Sequence, residues 1–300
     1  MAYSKITNKL FYTNKEKKES ILKIVNDNKV VLVMHYLYLL TNICGEATVS
    51  VDYLIEKCGY KVDKDSRKSF KNILDKLKEL KYINFNNINK SNEVIEIDTT
   101  KLNVDTEFFV VENEELELIR NNTEDIREFL NVVKVYYYLK ARIYKRKETT
   151  TIDPRSQSTY NTYEDIANHT LISERNIKKY IDKLQEINLI RYCNLGYKYR
   201  VDNIQAKTEC ANLYVLTKIS KDEEMLRYDM KEGLKQEELF YIDKGFIVTE
   251  NGYKNNDRKL NGFYGSLIKK EKSNRLTDEE REELNKLRLI KELENDKLIS

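Results

Sequence analysis

TYEDIANHTLISERNIKKYIDKLQEINLIRY, residues 162–192, places two short helical patterns on either side of a tight turn and then changes to strand-like composition. Thr162 stands three residues before Asp165, the arrangement in which side chains and backbone cap one another at a helix start. Ser173 offers a second start. From it Ile177, Ile181, Leu184 and Ile187 recur at intervals of four and three, which predicts one apolar stripe facing a core. The sequel LIRYCNLGYKYRVDN reads as two strands joined at residues 194–196.

The same order occurs earlier in the chain. ILDKLKELKYINF (73–85) aligns without a gap with YIDKLQEINLIRY (180–192), so Leu77 falls on Leu184, Leu80 on Ile187, Ile83 on Ile190 and Phe85 on Tyr192. Polar positions agree too: Asp75 and Lys76 match Asp182 and Lys183, and Glu79 matches Glu186. Before the first copy, VVLVMHYLYLLTNIC (30–44) predicts a buried helix ended by Gly45, and Ser50 caps a helix carrying Val51, Leu54 and Ile55 until Gly59 stops it. The third helix, with Asp65 or Ser66 as its cap, turns Phe70, Leu74, Leu77 and Leu80 inward and Arg67, Lys68, Lys71, Asn72, Asp75 and Lys78 outward. YINF and VIEID then form an antiparallel pair, and the acidic NVDTEFFVVENEELELIRNNTEDI after them reads as a short strand followed by a helix and a linker. Two copies of a helix, turn, helix and hairpin are expected, a repeat of one supersecondary unit.

Composition bounds the rest. A chain of 300 residues with 40% hydrophobic and 34% charged side chains exceeds one ordinary domain and can bury a core. No run approaches the length of a membrane helix, and MAYSKITNKLFYTNKEKKES lacks a signal-peptide core, so a cytoplasmic protein without membrane contact is expected. Cys44, Cys58, Cys193 and Cys210 show no paired spacing, and the histidines are His35 and His169 alone, which argues against a zinc site or a disulfide framework. NGFYGSLIKKEK (261–272) lacks the spacing of a phosphate-binding loop. Tyr136, Tyr137 and Tyr138 sit in a helical core pattern, so a DNA-nicking tyrosine is disfavoured. No catalytic residue, cofactor or metal is expected. The net charge is +3, yet residues 105–128 carry nine acidic and two basic side chains, and residues 140–200 thirteen basic and seven acidic. A weak overall charge hides a basic block.

The repeat, together with Ser173-Glu174-Arg175-Asn176 opening a helix that continues through Ile177, Leu184, Gln185, Asn188, Leu189 and Ile190, resembles the tandem winged-helix replication initiators of plasmids and phages. The single units also resemble bacterial winged-helix regulators. Asn188 stands where that family commonly has glycine, and KVDKDSR precedes the first candidate recognition helix as an insertion. The resemblance implies a mainly α fold with small β-hairpin wings (α+β): a winged-helix domain with an N-terminal extension over 1–104, an acidic linker over 105–124, a second winged-helix domain over 125–205, and a mostly helical interaction region over 206–300. In that last region Thr277 and Glu280 predict the start of a helix running through Leu284, Leu287, Ile290 and Leu293. The implied activity is sequence-specific binding of double-stranded DNA, as a replication initiator at origin repeats or else as a transcriptional regulator or partition adaptor. Region 206–300 would meet a second copy of the chain or a host replication protein. In the second module Ser173, Arg175, Asn176, Lys178, Lys179 and Lys183 form the expected contact set, with Arg175 and Asn176 reading bases, Lys179 and Lys183 neutralising backbone charge, and Lys198 and Arg200 on the wing. Arg67, Lys68, Lys71, Asn72 and Lys78 form the equivalent set in the first.

Overall fold

The computed structural model of the chain describes residues 3–12, 19–102, 106–143, 156–200, 203–218 and 223–250, with single positions between 268 and 284. The architecture is mixed α/β, with small antiparallel sheets of two or three strands among many helices. It divides into two compact units, Met1–Cys193 with Ala211–Glu237, and Asn194–Cys210 with Glu238–Ser300.

The first unit opens with strand β1 (Tyr3–Thr7) and a short helix α1 (Ile21–Val25). Helix α2 (Val30–Leu40) buries every residue from Val30 to Leu37, because its apolar residues leave no polar face to orient outward. It ends at Leu40, not at Gly45. Thr41 turns its hydroxyl back to the Leu37 carbonyl (2.7 Å) and bridges to Ala47, and Gly45, at φ +83°, serves the turn into β2 (Glu46–Val49). Helix α3 (Val51–Lys57) starts at Ser50, whose hydroxyl accepts from the Tyr53 N–H, as expected. Helix α4 (Lys64–Glu79) is capped by Asp63, which accepts from Ser66 N–H at 2.8 Å; Asp65 and Ser66 lie inside its first turn. Strands β3 (Asn84–Phe85) and β4 (Ile95–Asp98) follow, and β4 lies between β2 and β3 in an antiparallel sheet.

The acidic stretch forms the short strand and helix expected of it, but as part of the fold and not as a linker. Strand β5 (Phe108–Glu112) pairs with β1 from Tyr3↔Glu112 to Thr7↔Phe108, and helix α5 (Asn113–Asn121) buries Leu116 and Ile119. Phe109 and Val111 alternate inward on β5, which gives this segment a buried face despite its charge. Helix α6 (Ile126–Arg142) is buried from Val132 through Ala141.

Strand β6 (Ser158–Asn161), helix α7 (Tyr163–Thr170) and helix α8 (Glu174–Glu186) repeat the order β2, α3, α4. Thr162 and Asp165 form the expected reciprocal cap. Asn188 adopts the left-handed conformation at φ 56° that ends α8. Strand β7 (Ile190–Asn194) does not form a hairpin with β8 (Gly196–Arg200), contrary to expectation. The partner of β7 is β10 (Asn212–Leu216), which lies between β6 and β7, while β8 pairs with β9 (Asn203–Glu209). A hairpin is thus inserted between β7 and its partner, and the second module extends past residue 205.

Region 206–300, expected to be mostly helical, contributes β10 and β11 (Phe246–Glu250) besides helix α9 (Glu223–Asp243). Gly233 lets α9 lie close to β6 and β10: a Cβ there would meet Ser158 Oγ at 2.6 Å and Leu213 at 2.9 Å. Sheet β11-β8-β9 belongs to the second unit. At the expected C-terminal helix, Thr277 and Glu280 exchange two 3.2 Å capping hydrogen bonds. Leu284 is buried, and Leu287, Ile290 and Leu293 lie outside the described residues.

Candidate nucleic-acid interface

Helix α8 is seated by Ile177, Tyr180, Ile181 and Leu184, all buried. That stripe fixes what the opposite side presents. Ser173, Glu174, Arg175 and Asn176 are exposed in the first turn. Arg175 and Asn176 have no side-chain hydrogen bond or ion pair among the described residues, so their donors are available to a ligand. Ser173 occupies the capping position, but its hydroxyl makes no capping bond, which leaves the expected cap incomplete and the hydroxyl outward.

The lysines further along α8 have carboxylate partners. Lys178 pairs with Asp182 at 2.5 Å, Lys183 with Glu186 at 2.8 Å, and Lys179 reaches across to Glu128 of α6 at 2.7 Å. Asp182 also accepts from the Tyr192 hydroxyl of β7 at 2.9 Å, which ties the helix to its sheet. The Glu124 N–H and then Lys179 hold the Glu128 carboxyl below its ordinary value. Lys179 is held above its own by Glu128. The Lys178 and Lys183 pairs lie at the surface, where water screens them, so phosphate can replace their carboxylates at small cost, whereas Glu128 is buried and keeps Lys179 as its cation.

On α4 the expected outward set divides. Lys68 and Asn72 are exposed, and Lys71 is half-buried beside them. Arg67 instead makes a two-bonded pair with Asp52 of α3, both at 2.9 Å, and holds that carboxyl below its ordinary value. Lys78 turns back onto the sheet, donating to the Phe85 carbonyl at 2.5 Å with its ammonium 4.7 Å from the Phe85 ring. These two cations brace the module.

In the second unit, Lys198 and Arg200 lie over aromatic rings, Lys198 at 4.1 Å from Tyr241 and Arg200 at 5.4 Å from Phe246. The aromatic side expected of Tyr197 and Tyr199 is therefore supplied in part by α9 and β11, and Tyr197 is exposed.

The tyrosine triplet is buried and its hydroxyls are engaged. Tyr136 donates to Glu115 (2.6 Å), Tyr137 lies 2.9 Å from His35 Nδ1, and Tyr138 donates to Asn161 (3.1 Å). Burial pushes all three hydroxyls well above the ordinary tyrosine value. No backbone of a duplex can reach them. Among the described residues no group of three or more His, Cys, Asp or Glu side chains is placed to hold a metal ion, and no helix is long and apolar enough to cross a membrane.

Sequence reasoning missed Asp52 and Glu128 as partners of Arg67 and Lys179, since nothing local links residues so far apart. The Lys178–Asp182 pair was legible from its spacing of four. No protein-family model matches the chain, and no curated protein matches it.

Proposed function

We propose that the chain binds double-stranded DNA through two winged helix-turn-helix modules, α2–α3–α4 with sheet β2-β4-β3 and α6–α7–α8 with sheet β6-β10-β7. One observation carries the reading. Apart from the hairpin inserted after β7, the same element order and the same middle-strand sheet occur twice, each with a long amphipathic helix whose first turns expose polar side chains. A helix of that width fits a major groove, where its leading residues meet base edges. Arg175 supports guanine readout and Asn176 adenine readout, with Lys68 and Asn72 in the equivalent role on α4. Lys71, Lys178 and Lys183 serve the phosphate backbone, the last two exchanging their surface carboxylate partners for it, and Lys179 offers it a further donor while staying on Glu128. Arg67 and Lys78 act by holding their module together.

Two reading heads on one chain suit iterated sites, and the resemblance to tandem winged-helix initiators makes replication initiation at origin repeats the favoured role. The test is selection of bound fragments from the source genome at salt that suppresses generic charge binding, followed by base-resolution footprinting. Protection over spaced repeats at an origin supports initiation. Protection confined to the protein's own promoter assigns regulation instead, and an array beside a partition locus assigns an adaptor. Uniform binding without sequence preference refutes the proposal.

A further inference from the structure

A cavity of about 210 Å³ opens at the C-terminal end of α4, lined by Lys78, Lys81, Lys101, Asp98, Tyr82 and Asn84 among others. Three ammonium groups face one carboxylate there. Asp98 is already served by Thr100, accepting from its N–H at 3.0 Å and its hydroxyl at 2.7 Å. Lys81 and Lys101 are exposed and make no side-chain hydrogen bond or ion pair among the described residues, though the Thr100 N–H and hydroxyl, and then Lys101, hold the Asp98 carboxyl below its ordinary value, and Lys78, bound to the Phe85 carbonyl, keeps donors to spare. The concave face therefore carries an unbalanced positive charge.

The backbone adds an independent observation. Lys81 sits at φ 63°, the left-handed region, where its N–H bonds the Lys78 carbonyl (2.9 Å) and the Tyr82 N–H bonds the Leu77 carbonyl (3.0 Å). Glycine or asparagine fills such a helix-ending turn at least cost. The second module builds the same turn with Asn188, at φ 56° and with Leu189 N–H on the Leu184 carbonyl at 3.0 Å. Lys78 likewise corresponds to Gln185. The turn needs no lysine, so Lys78 and Lys81 are particular to the first module. The turn accounts for the conformation of Lys81 and leaves its ammonium, which the turn does not use, at the cavity.

The cavity also lies apart from the exposed first turns of α4. Lys81 is thirteen residues beyond Lys68, about 20 Å along the helix. It borders the Asn84↔Asp98 end of the β3–β4 pair, opposite the connecting residues 86–94.

We infer that this cavity binds a phosphate group, held by Lys81 and Lys101 with Lys78 and the Asn84 amide at its edge. Two sources present that group, a small free phosphate and a backbone phosphate of bound DNA. Sodium pyrophosphate is the probe: it is titrated calorimetrically into the full-length chain, with ionic strength held constant by sodium chloride, using the natural protein, Lys81→Asn and Lys101→Gln. Both substitutions are at exposed positions, and the first installs the residue that the second module carries, so folding is retained. The expected result is saturable binding by the natural protein, weakened at least about tenfold by each substitution, as the loss of one charge-assisted hydrogen bond requires. Duplex binding measured against salt on the same proteins separates the sources. If the phosphate is that of DNA, each substitution lowers the slope of log affinity against log salt by about one. Pyrophosphate binding that survives both substitutions overturns the inference, as do heats equal to those of sodium chloride together with an unaltered salt slope. A chain that binds pyrophosphate at this cavity but binds no duplex keeps the inference and removes the proposed function.

Discussion

Lys134 is fully buried on α6, and its ammonium has one hydrogen-bond partner among the described residues, Asn28 Oδ1 at 3.0 Å. Burial lowers its pKa from 10.5 to about 8. That drop corresponds to about 3 kcal/mol by which folding disfavours the charged form. Between pH 8 and 10.5 the unfolded chain holds a proton that the folded chain has released. Stability from this group therefore rises with pH across that window, by at most about 1.4 kcal/mol per pH unit, and the gain is lost as pH falls through 8. Lys134→Met keeps the length and removes the charge, leaving the half-exposed Asn28 without its donor at a cost of about 1 kcal/mol. The variant is expected to be more stable than the natural protein at pH 7 by about 1–2 kcal/mol, once that cost is set against the full shift. Urea denaturation of both proteins at pH 7, 8, 9 and 10 measures it, and the difference between them cancels the tyrosines that titrate in both. The advantage should vanish or reverse by pH 10. A variant that is less stable at pH 7, by an amount independent of pH, refutes the reasoning.

Glu115 is buried against Lys140 and accepts from the Tyr136 hydroxyl (2.6 Å) and the Glu112 N–H (2.9 Å). Glu115→Ala strands a buried ammonium and should cost about 3–5 kcal/mol in urea unfolding, and adding Lys140→Met should recover much of it; additive losses would contradict the pairing. Gly233→Ala forces its Cβ onto Ser158 and Leu213 and should lower stability by about 1–3 kcal/mol, read as a lowered Tm. Arg175→Gln should cost about 1–3 kcal/mol on the selected DNA and little on random duplex, whereas Lys179→Gln should weaken both alike and flatten the salt slope by about one contact. Equal losses for Arg175→Gln on selected and random DNA would sink its base-reading role.

Periodicity made the helices of both modules legible, since Phe70, Leu74 and Leu77, or Ile177, Ile181 and Leu184, each state a buried face within a few turns. Ser50 and Thr162 were legible as caps because capping is local. Strand partnership is not local. The apolar alternation of β7 shows that it is a strand but not that its neighbour is β10, on the far side of an inserted hairpin. The acidic stretch was legible as a strand followed by a helix, but not the pairing of that strand with the N-terminal β1. Charge misled for a related reason. Glu115 and Glu128 belong to a stretch that reads as solvated surface, yet both are buried, and the lysines that explain them, Lys140 and Lys179, lie on other turns or other helices.

The consequence reaches the proposed function, because no free linker separates the two proposed reading heads. Tyr137 and His35 join α6 to α2, Lys134 joins α6 to Asn28, and Tyr12 donates to the Ala141 carbonyl at 2.6 Å. His169 Nδ1 of α7 lies 3.1 Å from the Phe11 carbonyl, and one apolar core runs from Ile6 through Leu216. Modules on a flexible tether tolerate changed site spacing, because the tether only sets an effective concentration; modules sharing a core present their helices at one separation. Two half-sites should therefore be bound tightly at a single spacing. Inserting about five base pairs between them rotates one half-site by half a turn, and inserting about ten restores the phase but moves it by about 34 Å. Both insertions should remove the contribution of the second module, about 10²-fold or more in affinity, where a tethered pair would lose little at either. Electrophoretic mobility titrations on the three spacings decide the matter, and affinity unchanged by insertion would mean that the shared core does not hold the two recognition helices in register on DNA.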